Sequence, residues 1–168
     1  MSLTAEQILF VVFAVPLLLS AVGVVVARSP VHAAMSLVSA FFFLAAVYVL
    51  LTAHLLAFVQ VIVYAGAIMV LFLFVVMLLS LTDAELGVEK MTALKLVGAV
   101  GSAAVLAMLF AAAIQSGQGA PPAVGADYGT VAAVGKLLFS KYFLPFEATS
   151  VLLLVAIVGA VVVAKEKI

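Results

Sequence analysis

Five long apolar runs most restrict what this chain of 168 residues can fold into. A helix needs about 20 apolar residues to cross roughly 30 Å of bilayer hydrocarbon. Runs of this kind lie at residues 8–27, 31–53, 55–81, 96–114 and 145–164. They predict an all-α, polytopic membrane protein in which five transmembrane helices form a single membrane domain over residues 1–168.

Composition supports a lipid environment and excludes several classes of site. Hydrophobic residues make up 69% of the chain and charged residues 8%, against roughly 25% charged in soluble domains. The net charge is zero, so we expect no nucleic-acid partner. The absence of cysteine excludes disulfides and cysteine-ligated iron–sulfur clusters in this chain. His32 and His54 lie roughly 33 Å apart if they share one helix, so we expect no metal site.

Local signals mark the ends of the first three runs. The segment before the first run contains Glu6 and no basic residue, so we expect a retained span and not a signal peptide. Pro30 ends the first helix and suits the first position of the second, where Ser29 is placed to cap it. Only His54 separates the second and third runs, which predicts a tight antiparallel hairpin.

The segments between the later runs are more polar. Residues 82–95 are rich in charge and predict an aqueous loop, and residues 115–129 are rich in Gly and Pro and predict irregular structure. Residues 131–143 mix two lysines with large apolar side chains. This pattern fits a short amphipathic helix in the membrane interface, and it also fits a partly ordered loop.

Lysine and arginine placement predicts the orientation in the membrane. With five crossings, one side receives Arg28, Lys90, Lys95, Lys165 and Lys167, and the other receives only Lys136 and Lys141. Basic residues concentrate on the cytoplasmic side of membrane proteins. We therefore expect the N-terminus outside and the C-terminus in the cytoplasm.

The third run is longer than one crossing requires. At 1.5 Å per residue, residues 55–81 would form a helix of roughly 40 Å, about 10 Å more than the hydrocarbon thickness. Its middle holds Tyr64 and Gly66 among small residues. Glycine weakens a helix at this depth, so the segment is a place where a π bulge could form and reverse. The alternative is a glycine that only allows close helix packing.

Three polar side chains in the apolar runs are candidates for a proton path. Gln60 and Tyr64 are four residues apart and share a face of a regular α-helix. They would meet either another helix or a chain of water molecules. Glu147 is the only acid in a span: it is either a helix-start acid, if the helix begins at Pro145, or a proton-relay carboxylate facing the bundle interior.

Three segments of the chain resemble one known family. Residues 59–79 read VQVIVYAGAIMVLFLFVVMLL and closely resemble the third helix of subunit J of bacterial NADH:quinone oxidoreductase, respiratory complex I. Residues 28–34, RSPVHAA, resemble that family's first loop. The PFE of 145–147 and the SVLLLVA of 150–156 resemble its last helix. The mitochondrial counterpart is NADH dehydrogenase subunit 6.

The resemblance implies a function in a larger complex. It implies a non-catalytic subunit without a cofactor in the bacterial inner membrane, packed against membrane-arm subunits such as A, H, K, L, M and N. FMN, iron–sulfur clusters and quinone belong to other subunits. It also implies that the third helix switches between α and π forms at residues 64–70, gating a proton path from the quinone site to the antiporter-like subunits.

Two further points follow from the resemblance. Glu147 corresponds to the glutamate at the start of the family's last helix. Many relatives carry an acid near the short second loop, where this chain has His54, so a role for that acid does not transfer. Subunits of multi-chain cation/proton antiporters and membrane-bound hydrogenases contain similar segments and are the alternative to the oxidoreductase.

Overall fold

The structure, a computed structural model, describes residues 4–79, 93–116, 125 and 127–165. Within these residues the chain forms six helices: α1 Ala5–Val26, α2 Pro30–Leu50, α3 His54–Leu79, α4 Ala93–Ser116, α5 Val131–Ser140 and α6 Phe143–Ala164. All except α5 are long and apolar enough to cross a membrane. The predicted all-α fold with five transmembrane helices is confirmed.

Helices α1 and α2 pack against each other through small residues. A Cβ atom on Gly23 would lie 3.1 Å from the Ser36 Oγ atom, so the two backbones approach closely at this point. Pro30 occupies the first turn of α2 as predicted, and Ser29 precedes it as the N-cap residue. The Ser29 side chain makes no capping hydrogen bond, unlike our expectation.

The connection between α2 and α3 is a tight turn over residues 51–53. The Ala53 N–H donates to the Tyr48 carbonyl over 2.9 Å, and Thr52 has a φ of 58°, in the left-handed region. This conformation is uncommon for a residue with a Cβ atom. It lets the chain reverse directly into α3, which begins at His54 and packs against α2.

Helix α3 changes its hydrogen-bond register twice. Its first part, His54–Val59, is α-helical, the segment Gln60–Ile68 is a π-helix, and the last part, Met69–Leu79, is α-helical again. The predicted π bulge in the third helix is confirmed. Residues 80 and 81, which our third run included, lie outside the described residues.

Helix α4 belongs to a separate compact unit. It begins at Ala93 and ends at Ser116. The predicted loop 82–95 is therefore helical at its last three positions, and its remaining residues lie outside the described part. The predicted irregular segment 115–129 is likewise helical at its first two positions, because the apolar helix extends into Gln115 and Ser116.

Helices α5 and α6 follow each other closely and pack together. The helical alternative for residues 131–143 is correct over Val131–Ser140, and the Thr130 hydroxyl caps this helix by accepting from the Ala133 N–H over 3.2 Å. Phe139 of α5 meets Phe146 of α6 edge-on, with ring centroids 5.0 Å apart.

The start of α6 differs from our expectation. The helix begins at Phe143 and not at Pro145. The first four N–H groups of any helix lack a partner within it, so the missing N–H of Pro145 at the third position costs no hydrogen bond. Glu147 consequently lies in the second turn, and the expectation that it lies in the first turn is wrong.

Candidate functional site in the third helix

The π segment of α3 is the most distinctive local feature of the described chain. It covers Gln60–Ile68, and the Met69 N–H closes it by donating to the Tyr64 carbonyl, five residues back. We expected the switchable segment at residues 64–70. The π-helix instead starts four residues before Tyr64 and ends just before Met69. Such segments within α-helices often occur at functional sites.

The π register determines which side chains α3 buries. Ala57, Gln60, Ala65 and Met69 are the buried residues of this helix. From Gln60 to Ala65 the spacing is five residues, whereas from Ala65 to Met69 it is four. In a regular α-helix Tyr64 would follow Gln60 on the buried face. The wider turn places Ala65 there instead.

Gln60 is a buried residue at the first position of the π segment. Its exposed fraction is 7%, and it is the only polar residue among the buried ones that the structure describes. No described residue forms a hydrogen bond with its side chain. An amide at membrane depth needs a partner, because an unpaired polar group in an apolar environment is costly. The Gln60 amide therefore has hydrogen-bonding capacity that none of the described residues uses.

Tyr64 lies at the edge of the buried face and is 46% exposed. Its ring meets the Phe41 ring of α2 edge-on, with centroids 5.9 Å apart and an interplanar angle of 77°. Among the described residues, none hydrogen-bonds to its hydroxyl. The α-helical spacing predicted that Gln60 and Tyr64 share one face of the helix. The structure does not place them on one face. Gln60 is buried, whereas Tyr64 is exposed and contacts Phe41 of α2.

Gly66 lies inside the π segment and is exposed within this chain. A Cβ atom built on it would lie 3.2 Å from the Val61 carbonyl oxygen, five residues back. That contact is tight, so a side chain at this position strains the π register. Glycine also has the weakest α-helix propensity of any residue except proline. Because of both effects, glycine at position 66 favours the π form more than a residue with a side chain would.

Glu147 lies apart from the π segment. Its helix, α6, contacts α5 and makes no contact with Gln60–Ile68. The neighbouring hydroxyls of Thr149 and Ser150 donate to the carbonyls of Pro145 and Phe146, over 2.8 and 3.0 Å. The carboxylate is exposed within this chain and has no hydrogen-bond or ion-pair partner among the described residues. Three of the four candidates thus lie within the π segment, and Glu147 lies outside it.

His54 is the first residue of α3 and is exposed, as expected for a turn histidine. It lines a groove between α2 and α3 together with apolar residues that include Phe42, Val49 and Val61. The described residues contain no group of three or more His, Cys, Asp or Glu residues that could hold a metal ion.

Sequence reasoning missed a contact at the start of α3. Gly129 lies against the turn at Thr52, although we predicted only irregular structure up to this glycine. A glycine directly before a threonine and an apolar run is a signal for a turn followed by a capped helix. That signal locates the turn, but it does not reveal which part of the chain the turn contacts.

These features define a polytopic α-helical membrane protein whose third helix contains a π segment that carries the polar side chains of Gln60 and Tyr64. Comparison with known proteins identifies its family. The family described as NADH-ubiquinone/plastoquinone oxidoreductase chain 6 matches residues 20–163. The chain belongs to this family, which confirms the resemblance to subunit J of complex I.

This chain aligns with most of the length of each of several individual relatives. NADH-quinone oxidoreductase subunit 10 of Thermus thermophilus is 44% identical over 86% of this chain and 81% of its own. NADH-quinone oxidoreductase subunit J of Rhodobacter capsulatus is 34% identical over 90% and 78%. F(420)H(2) dehydrogenase subunit J of Methanosarcina mazei is 33% identical over 95% and 91%. The protein is a membrane subunit of an NADH-quinone oxidoreductase, and other subunits of that complex are its partners.

Proposed function

We propose that α3 gates proton passage in a proton-translocating NADH:quinone oxidoreductase by switching Gln60–Ile68 between π and α forms. The observation that carries this proposal is the five-residue step in the buried face between Gln60 and Ala65. A return to α bonding would shift the register by one residue. Tyr64 would then replace Ala65 on the face turned to α2, and Ile68 would replace Met69.

The exchange would change the polarity of that face. One residue step in an α-helix corresponds to about 100° of rotation. In the π form the buried Gln60 amide is followed by the methyl group of Ala65. In the α form the Tyr64 hydroxyl would lie one turn from this amide, and the two could share a water molecule or a partner's polar group. A path for protons would thus be made or broken by one register shift.

The proton path would also need groups beyond α3. Glu147 is proposed to face the interior of the assembled arm as a relay carboxylate. Its place in the second turn of α6 supports this role, because the stabilisation of an acid by the helix dipole is confined largely to the first turn. Subunits A, H, K, L, M and N are the proposed neighbours.

The electron-transfer chemistry is proposed to lie in other subunits, which would hold FMN, the iron–sulfur clusters and quinone. The names of relatives support this division, since they include NADH, NAD(P)H and F(420)H(2) as electron donors. A subunit that occurs in complexes with different electron donors is not expected to bind the donor itself. His54 and Glu147 are exposed in separate helices of this chain, which does not resemble a catalytic pair.

The membrane topology has structural support from one contact. Gly129 touches the turn at Thr52, which supports a topology with the loop before α5 and the turn before α3 on the same side of the membrane. Their connection must cross an even number of times, and α3 and α4 supply two crossings. The proposed orientation places this side outside, with the C-terminus in the cytoplasm of a bacterium.

Purification of the native complex with this subunit tagged tests the assignment. Co-purification of flavin and iron–sulfur subunits with NADH:quinone activity is the expected result. Recovery with antiporter subunits and without flavin or iron–sulfur chains would favour the multi-chain antiporter. Recovery with a hydrogenase catalytic subunit would favour the membrane-bound hydrogenase.

A further inference from the structure

The loop before α5 fits tightly onto the turn before α3. Gly129 has a φ of 72°, in the left-handed region. A Cβ atom on this residue would overlap the carbonyl oxygen of Thr52 and lie 3.2 Å from the Ala53 Cα atom. No side chain fits in that space unless one backbone moves away. Glycine is therefore required here for both conformation and close approach.

The same contact serves the first turn of α3. The Leu55 N–H donates to the Gly129 carbonyl over 3.4 Å. This N–H is one of the four at a helix start that have no partner within the helix. Around the bond, side chains from both segments line an apolar cleft of about 230 Å³. Leu56 of α3 and Leu137 of α5 line it from the two sides.

The loop itself is held by several local bonds. The Thr130 hydroxyl and N–H both donate to the Asp127 carbonyl, over 2.8 and 3.2 Å. Thr130 also caps α5. The Phe139–Phe146 ring pair then joins α5 to α6. The N-terminal end of α3 is thus connected through Gly129 and α5 to the helix that carries Glu147.

We propose that Gly129 is a positioning residue that fixes the N-terminal end of α3, so that a register change in the π segment turns the C-terminal part, Met69–Leu79. This proposal rests on the proposed α/π switching. A register shift rotates one end of a helix relative to the other by about 100°, and the end that is held stays in place. After Met69, α3 has no buried side chain among the described residues.

Cysteine pairs test the anchor, because the chain has no cysteine of its own. Leu56→Cys and Leu137→Cys are introduced together, and a short thiol-specific cross-linker is applied to the assembled complex in membranes. Cross-linking is expected in the protein that carries only these two cysteine substitutions, which we call the parent. It should fall severalfold with Gly129→Ala and persist with Gly135→Ala, where an added Cβ meets nothing within 4 Å. Unchanged cross-linking with Gly129→Ala would overturn the anchor.

The cross-linked parent gives a second test that does not depend on assembly of Gly129→Ala. If the joined ends stay in place during turnover, the cross-linked enzyme pumps as many protons per electron as the enzyme before cross-linking. Loss of pumping on cross-linking overturns the proposal. Thiol labelling of Ile68→Cys and Met69→Cys during turnover separately tests the switch. Equal labelling at rest and in turnover would refute the gate, while the cross-linking result still decides the anchor.

Discussion

The ring of Tyr64 in the π segment meets the ring of Phe41 on α2 edge-on, at a centroid distance of 5.9 Å. This contact exists because the π register holds Tyr64 at the edge of the buried face. A one-residue rotation towards Gln60 would separate the rings. We therefore expect the aromatic pair to stabilise the π form relative to the proposed α form, and to link the position of α2 to the register of α3.

Removing the aromatic pair should shift the register towards α. Phe41→Leu loses an edge-to-face contact of about 0.5–1.5 kcal/mol, which corresponds to roughly a two- to tenfold change in the α/π ratio. The expected result is fewer protons pumped per electron, measured in vesicles that contain the assembled complex. Phe42→Leu is the matched control, since Phe42 lines the groove near His54 and has no ring contact with Tyr64. Equal effects of both variants would contradict this prediction.

Gly66→Ala should also favour the α form. Alanine gains about 1 kcal/mol over glycine in an α-helix, or roughly fivefold, and its Cβ would press on the Val61 carbonyl in the π form. Proton pumping per electron should fall, and Gly66→Val should lower it further if the complex assembles. Gly159→Ala on α6 is the control, because its Cβ has open space. A Gly66→Val complex that assembles normally and pumps fully would remove the gate.

Gln60→Leu should leave helix packing intact and impair proton passage. Leucine keeps a side chain of similar size in a buried position and removes an amide that has no partner among the residues that the structure describes. We expect normal amounts of assembled complex and retained quinone reduction, with pumping per electron reduced. Loss of assembly instead would indicate that the amide hydrogen-bonds to a neighbouring subunit.

The proposed relay role of Glu147 should require a carboxylate at this position but not the full length of the glutamate side chain. Glu147→Gln keeps the shape of the side chain and removes the group that binds and releases a proton. We expect Glu147→Gln to lower proton pumping per electron and Glu147→Asp to restore most of it. Assembly measured in the same membranes is the control. Full pumping by Glu147→Gln in the assembled fraction would leave this residue without a relay role.

Gly23 should matter for packing alone. Gly23→Leu forces side-chain atoms into the space that the Ser36 hydroxyl occupies, and overpacking of this kind typically costs about 1–3 kcal/mol. Less assembled complex is expected, with normal pumping per electron in the fraction that remains. The smaller Gly23→Ala should be rescued by Ser36→Gly, which removes the contacting side chain. Lack of rescue would show that Ser36 is not the residue that limits position 23.

Hydrophobicity predicts the five crossing helices because lipid requires long apolar segments and satisfied backbone groups. The π segment was also predictable, since Gly66 lies in the middle of a run too long for one straight crossing. The side chains that the π segment buries were not predictable, because the α-helical spacing of Gln60 and Tyr64 fails once the turn between them holds an extra residue.

Contacts between distant parts of the chain were beyond sequence reasoning. Gly129 and Thr52 meet through left-handed backbone conformations, and neither residue type indicates which segment of the chain it will contact. The start of α6 at Phe143 was missed for a local reason: a proline within the first turn loses no hydrogen bond, so Pro145 does not mark the boundary.

High-resolution structures of the assembled complex, at rest and during turnover, test the proposed gate most directly. We predict that the Tyr64 carbonyl accepts from the Met69 N–H in one state and from the Ile68 N–H in the other. Tyr64 and Ile68 should then replace Ala65 and Met69 on the face towards α2, while Leu55 stays bonded to Gly129. The same register at Gln60–Ile68 in both states would contradict the gate.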